Sequence, residues 1–150
     1  MSKKKSAESS PEERLENDKN VLLETAKTYK PFPVELQIDG KIYDGEYLMV
    51  EVLNIRSIGP NIMLSPDADP GDGLLEVILV GEKDRQKLVN YLSEKLNGKE
   101  TRLQLETIPV KRMAMISRNN SLHVDDEIPN MGEHSFASVE INKKQLQFLV

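Results

Sequence analysis

The run from Ser65 to Val80 constrains the fold most, because a tight acidic loop there leads directly into an apolar stretch. The loop carries three carboxylates, Asp67, Asp69 and Asp72, among two prolines and two glycines. Proline fixes φ and glycine permits positive φ, so this backbone can curl and direct oxygen atoms inward. The apolar stretch from Leu74 to Val80 is short enough to be a β-strand that is buried on both faces.

Composition places the chain among globular proteins. Its 150 residues suit one domain, and they are 38% hydrophobic and 30% charged. No apolar run reaches the ~20 residues that span a bilayer, and residues 1–6 lack the apolar stretch of a signal peptide, which predicts a cytoplasmic location. The absence of cysteine excludes disulfides and thiolate chemistry. A net charge of −5 argues against nucleic-acid binding over a broad surface.

Three segments are predicted: a disordered tail over residues 1–9, a helical segment over 10–30 and a β-domain over 31–150. The helix begins with a capping box, since Ser10 precedes Pro11 and is followed three residues later by Glu13. Its expected buried face recurs at helical spacing: Leu15, Leu22, Ala26 and Tyr29.

Alternating hydrophobicity predicts strands in the third segment. One strand includes Val34 to Ile38 and ends at the hairpin signal Asp39-Gly40, and a long strand runs from Tyr47 to Ile55. Further alternating sets predict additional strands: Leu103 and Leu105, Met113 and Met115, Leu122 and Val124, Val139 and Ile141, and Leu146, Phe148 and Val150.

One helix interrupts the strands. Leucines recur every four residues from Leu88 to Leu96, within a predicted helix from Asp84 to Leu96 that ends at Asn97-Gly98. Cationic residues on this helix allow at most peripheral contact with a membrane, because acidic residues lie among them. Several short strands and one packed helix predict a mainly β fold, either a sandwich or an open barrel.

The acidic loop does not follow the EF-hand pattern. Counted from Asp67, loop positions five, six and twelve hold Gly71, Asp72 and Ile78, where an EF-hand requires Asp or Asn, Gly and Glu. A looser Mg²⁺ or Ca²⁺ site, built from one or two carboxylates and backbone carbonyls, remains open. An ordinary structural turn is the alternative, because turns use the same residue types.

A second acidic cluster, Asp125-Asp126-Glu127, follows the predicted strand at Leu122 and Val124. Carboxylates at a strand end can hold Mg²⁺, or raise the pKa of one member so that it acts as a general base. The alternative is a solvated acidic turn. The sequence contains no glycine-rich pattern of a phosphate-binding loop.

Four sequence elements carry a family resemblance: Asn54, Gly59-Pro60, and the Pro-Asp-Ala and Asp-Gly-Leu-Leu motifs between Leu64 and Val77. In this order they resemble the C-terminal domain of the diacylglycerol kinase family, the bacterial lipid kinase group that also includes sphingosine and ceramide kinases. The resemblance covers about residues 25–150. It implies an antiparallel β-sandwich, with one packed helix and an N-terminal helix, that forms one wall of an interdomain active site.

The resemblance also implies a metal site. In the family, one aspartate carboxylate and neighbouring backbone oxygens hold the metal, which maps onto Asp72, with Asp69 and the Leu74 carbonyl as companions. The expected ion is Mg²⁺, with Ca²⁺ as the alternative.

The family's acidic motif maps onto the second cluster. Glu127 takes the position of the base, with Asp125 as its catalytic companion, and would accept the proton of a lipid hydroxyl as it attacks the γ-phosphate of ATP. Asp126 stands where the family has glycine, which adds negative charge beside the phosphates.

Family members also carry an N-terminal α/β domain whose glycine-rich loop binds the nucleotide, and nothing in this sequence resembles it. Phosphoryl transfer requires both substrates in line, so the chain alone is expected to be catalytically incomplete. ATP is therefore a cofactor only with a nucleotide-binding domain. The implied partners are a lipid such as diacylglycerol and either that domain or a second copy. The alternative is a non-catalytic β-sandwich module that binds lipid, metal or protein.

Overall fold

The structure is a computed structural model and describes residues 9–58, 61–118 and 134–141. Within these residues the chain forms two α-helices and ten β-strands, and a short 3₁₀ turn leads into the second helix. The elements in chain order are α1 Pro11–Thr28, β1 Phe32–Ile38, β2 Lys41–Ile42, β3 Gly45–Tyr47, β4 Met49–Leu53, β5 Ser57–Ile58, β6 Ile62–Met63, β7 Leu75–Val80, α2 Arg85–Leu96, β8 Thr107–Val110, β9 Arg112–Arg118 and β10 His134–Glu140.

The strands form two main sheets and a small hairpin. The larger sheet has the order β10-β9-β1-β2, with β3 also paired to β1, and the smaller has the order β4-β7-β8. Strands β5 and β6 pair with each other. All of these described pairs are antiparallel. The predicted antiparallel β-sandwich with a packed helix and an N-terminal helix is confirmed.

Strand β7 lies in the middle of the smaller sheet and contributes to two cores. Successive strand residues point to opposite faces, so Val77 belongs to a core shared with the larger sheet, whereas Ile78 belongs to a core shared with the helices. Both side chains are fully buried. The prediction of a strand buried on both faces is therefore correct.

The predicted long strand from Tyr47 to Ile55 is wrong in two respects, because it is divided at Leu48 and because its second part ends at Leu53. The residues before Leu48 pair with β1 in the larger sheet, and those after it pair with β7 in the smaller sheet. The Leu48 amide donates to the carbonyl of Val80 at 2.7 Å. Leu48 thus marks the point where the chain crosses between sheets, a corner that sandwiches commonly use.

Helix α1 begins as predicted, with the capping box of Ser10 and Glu13 present in both directions. Its buried face agrees with the prediction at Ala26, but Leu23 is also buried and Leu15 is 41% exposed. Tyr29, also predicted on that face, is exposed. Helix α2 has 12 residues and α1 has 18. Because α2 is shorter, it cannot cover the whole length of α1.

The other predicted elements have mixed outcomes. The Asp39-Gly40 hairpin and the helix that ends at Asn97-Gly98 are present. Leu103 and Leu105 do not lie in a strand; both contribute to the helix-side core, and β8 begins only after them. No described helix is long and apolar enough to cross a membrane. Four predictions fall outside the described residues: the tail predicted over 1–9, except residue 9, the Leu122–Val124 strand, the Asp125–Glu127 cluster and the strand at Leu146–Val150.

Candidate functional site

The acidic loop between β6 and β7 is anchored at a buried root. Leu64, Ser65 and Ala68 are each 1% exposed, and the Ala68 amide donates to the Ser65 carbonyl at 3.1 Å. The hydroxyl of Tyr91 on α2 accepts from the Met63 amide at 3.1 Å, just before this root. The loop is therefore fixed to the helix-side core at its first half.

Arg56 adds a second anchor from the β5 side. Its carbonyl accepts from the amides of both Leu64 and Ser65 at 3.1 Å, and its Nε donates to the Ala68 carbonyl at 3.3 Å. The side chain thus satisfies a loop carbonyl that has no strand partner. Sequence reasoning missed Arg56; its place between Asn54 and the Gly59-Pro60 element was the available signal.

Two aspartates shape the second half of the loop. The Gly71 amide donates to Asp69 Oδ1 at 2.9 Å, and the Leu74 amide donates to Asp72 Oδ1 at 2.8 Å. These consecutive Asx turns orient both carboxylates. Gly73 has a φ of 75°, a left-handed conformation in which a side chain would be strained. Each carboxylate keeps a second oxygen atom that can accept a further bond.

Asp67 differs from the other two aspartates. Its side chain is 97% exposed, and its Oδ1 lies 3.8 Å from Nη2 of Arg102, which is 63% exposed. Exposed ion pairs at such distances contribute little free energy. Asp67 is therefore part of the charge of the loop but not of its hydrogen-bonded frame.

Glu76 is a member of this acidic region that sequence reasoning missed. Burial raises the pKa of the Glu76 carboxyl, and the negative charges of Asp72 and Asp67 raise it further, while a hydrogen bond with the Thr107 side chain lowers it. The signal in the sequence was its position as the one charged residue in the Leu74–Val80 strand. The loop and the start of β7 thus form one region of negative potential.

The oxygen atoms of the acidic loop are better suited to a weak Mg²⁺ or Ca²⁺ site than to a site in which several carboxylates surround the ion. Among the residues that the structure describes, no group of three or more acidic or histidine side chains is close enough to hold a metal ion. Asp69 and Asp72 are available with backbone oxygens of the loop, including the Leu74 carbonyl, and such mixed oxygen sets occur at Ca²⁺ and Mg²⁺ sites. The predicted Asp72-centred site remains a prediction.

The second acidic cluster lies in a part of the chain that the structure does not describe. Asp125, Asp126 and Glu127 lie outside the described residues, which end at Arg118 on β9 and resume at His134 on β10. These two strands are antiparallel neighbours, with His134 opposite Arg118. The assignment of Glu127 and Asp125 as catalytic residues therefore remains a prediction.

Comparison with known proteins places the sandwich in a family. Residues 13–146 match the family described as "YegS C-terminal NAD kinase beta sandwich-like domain". A diacylglycerol kinase from Bacillus subtilis (strain 168) is 23% identical over 119 residues, which are 78% of this chain and 39% of that protein. A crystal structure of a diacylglycerol kinase from Bacillus anthracis str. Sterne superposes with a TM-score of 0.60 at 18% identity, covering 85% of this chain and 45% of that one.

The chain thus spans about two fifths of the length of these relatives. The family match includes both the acidic loop and the Asp125–Glu127 cluster, and it extends over most of the sequence. The predicted resemblance is therefore confirmed at the level of the domain. The chain belongs to the YegS C-terminal β-sandwich family and is a C-terminal domain of the diacylglycerol-kinase-like lipid kinases.

Proposed function

We propose that this chain contributes the lipid-side wall and the acidic residues of an ATP-dependent kinase that phosphorylates a lipid hydroxyl, with diacylglycerol as the substrate class. The observation that carries this proposal is the family match over residues 13–146, a range that contains both acidic elements. The relatives that are named diacylglycerol kinases support the choice of substrate.

The chemistry assigned to the second cluster is proton transfer. A Glu127 carboxylate oxygen accepts the proton of the lipid hydroxyl as that oxygen attacks the γ-phosphate. Asp125 adds negative charge nearby, which raises the proton affinity of Glu127 and makes it a better base at neutral pH.

The acidic loop has a supporting role. Asp72, Asp69 and the Leu74 carbonyl would hold a divalent cation, and that ion would supply positive charge and rigidity beside the transferred phosphate. The Asx turns already orient both carboxylates without a ligand, so little loop reorganisation is needed for binding. The loop is thus a brace of the site, while the proton transfer is assigned to Glu127.

The nucleotide must be held by another polypeptide region, because catalysis needs the hydroxyl and the γ-phosphate aligned. This chain spans 39% of the Bacillus subtilis relative, so a nucleotide-binding domain in that protein can lie outside the matched part. The proposed partner of this chain is a separate nucleotide-binding domain. A homodimer is an alternative assembly, to be distinguished by the mass of the active species.

A chimeric enzyme tests the proposal. This chain replaces the matched segment of the Bacillus subtilis relative, and transfer of labelled phosphate from ATP to diacylglycerol in mixed micelles is measured. We expect turnover by the chimera and none by the chain alone. Glu127→Gln should reduce kcat by about 10²-fold or more, the usual contribution of a general base.

Asp126→Asn is the matched control, since it removes a neighbouring charge and leaves the base in place. Full turnover by the Glu127→Gln chimera would exclude Glu127 as the base. A folded chimera that binds diacylglycerol micelles without phosphate transfer would favour the non-catalytic binding module instead.

A further inference from the structure

The end of α1 is held by the guanidinium group of Arg85, which lies 59 residues further along the chain than Ala26. Its Nη1 donates to the carbonyl of Ala26 and its Nη2 donates to the carbonyl of Tyr29, both at 2.7 Å. The last carbonyls of a helix lack partners inside the helix, and a cation there also interacts favourably with the helix dipole. Arg85 therefore caps α1 from a distant part of the sequence.

The same guanidinium is fixed on its other side by Glu82. Nε donates to Oε1 and Nη2 donates to Oε2, each at 2.7 Å, which is the two-pronged geometry that arginine forms with a carboxylate. The Arg85 side chain is 20% exposed, whereas that of Glu82 is 62% exposed. Glu82 thus holds a largely covered guanidinium in the orientation that meets both carbonyls.

The position of Arg85 in its own helix gives α2 little benefit. It is the first residue of α2, where the helix dipole is positive and a cation is unfavourable. The favourable contribution of its charge therefore acts on the end of α1 and on Glu82.

Helix α1 has few other firm attachments. Only Leu23 and Ala26 are buried among its residues, and both belong to the helix-side core with Leu88 and Leu92 of α2. Residues 11–18 are all exposed. The core between the two sheets includes no residue of α1, so those sheets keep their own interior whether or not α1 is in place.

We propose that Arg85 is a latch, and that α1 detaches from α2 and re-docks as a unit while the two sheets stay folded. Parts of a protein with few buried contacts open locally at lower free energy than the core. Release of α1 removes Leu23 and Ala26 from the core that they share with α2. This device is independent of the proposed kinase activity.

Native-state hydrogen exchange of the whole chain tests the latch. In Arg85→Gln, we expect the amides of residues 21–28 to exchange about tenfold or more faster, because two hydrogen bonds to a charged group are lost. The amides of β4 and β7 should keep their protection factors. Arg85→Lys keeps the charge but lacks the fork, so its effect on the same amides should be intermediate.

Lys87→Gln is the matched control, since it removes another cation from the first turns of α2 and leaves α1 untouched; Lys87 pairs with Asp84 at 3.4 Å. Unchanged exchange of residues 21–28 in Arg85→Gln would overturn the proposal. An equal acceleration in Lys87→Gln would overturn it as well. Loss of protection in α1, β4 and β7 together, in either Arg85 variant, would show that α1 is an integral part of one cooperative unit and would also overturn it.

Discussion

Two aspartate-containing turns of this domain have opposite hydrogen-bonding patterns. At the β1–β2 hairpin, Asp39 and Gly40 have φ values of 45° and 83°, and the Asp39 carboxylate accepts from the amides of Lys111 and Arg112 at 3.0 to 3.2 Å. In the acidic loop, Asp69 and Asp72 each accept from an amide only two residues further on. The Asp39 turn is hydrogen-bonded to a distant part of the chain, whereas the aspartates of the acidic loop are hydrogen-bonded within the loop.

The difference indicates what each turn contributes. The Asp39 carboxylate links the β1–β2 hairpin to the junction between β8 and β9, two strands that lie in different sheets. Its charge is therefore stabilised by amide donors that come together only in the folded chain. The acidic loop concentrates charge in solvent, and its charges add to the effect of burial in raising the pKa of Glu76. A loop that concentrates like charges, yet is anchored by hydrogen bonds at Arg56 and Ser65, has the features of a functional site.

The largest expected effect on stability comes from Asp39→Ala. The change removes the carboxylate that accepts from Lys111 and Arg112 and places alanine at a positive φ. We expect a loss of about 2 kcal/mol in the free energy of unfolding, or roughly 4–8 °C in Tm, measured by denaturant and thermal unfolding.

Asp39→Asn is the matched control for backbone conformation, because asparagine tolerates positive φ and keeps one acceptor oxygen. The loss of unfolding free energy in Asp39→Asn should be less than half of the loss in Asp39→Ala. Equal losses for Asp39→Ala and Asp72→Ala would contradict the contrast between the two turns.

The acidic loop should respond to a cation, whereas the Asp39 turn should not. With Mg²⁺ or Ca²⁺ at about ten times its Kd, we expect a gain of about 1.4 kcal/mol, or roughly 3–5 °C in Tm. Asp72→Ala should abolish this gain, while Asp67→Ala should keep most of it, since Asp67 is outside the hydrogen-bonded frame. An unchanged Tm of the parent chain in both salts would remove the metal site.

Local patterns predicted the elements whose chemistry is local. The Ser10–Glu13 capping box, the Asp39-Gly40 hairpin and the buried β7 strand depend on residues a few positions apart, and all three are present. The family resemblance then identified the sandwich, which periodicity alone did not distinguish from an open barrel.

Long-range partners were the part that the sequence did not reveal. Leu48 reads as the middle of one alternating strand, and only the presence of a second sheet makes it a crossing point. Likewise, the bonds of Arg85 to Ala26 and Tyr29 span 59 and 56 residues, which no local pattern encodes. The acidic loop is intermediate, because its three aspartates were evident in the sequence but the charge that Glu76 adds was not.

The smallest expected effect comes from removing that added charge. Burial, together with the negative charges of Asp72 and Asp67, raises the pKa of Glu76, so its ionised form is less favourable in the folded state than in the unfolded chain. Glu76→Gln should therefore stabilise the domain at pH 7, by about 1–2 °C in Tm, since much of the carboxyl remains solvated. Glutamine can still accept from Thr107.

The sign of the pH dependence follows from the raised pKa. At pH values above the folded-state pKa the wild type carries the full penalty, and the penalty disappears as the pH falls to the unfolded-state value of about 4. The Tm difference between Glu76→Gln and wild type should thus be present at pH 7 and absent near pH 4. A bound cation would offset the same repulsion, so saturating Mg²⁺ should also shrink the difference at pH 7. A difference that is constant in pH would show that Glu76→Gln acts through packing, and the acidic loop would then no longer be electrostatically distinct from the Asp39 turn.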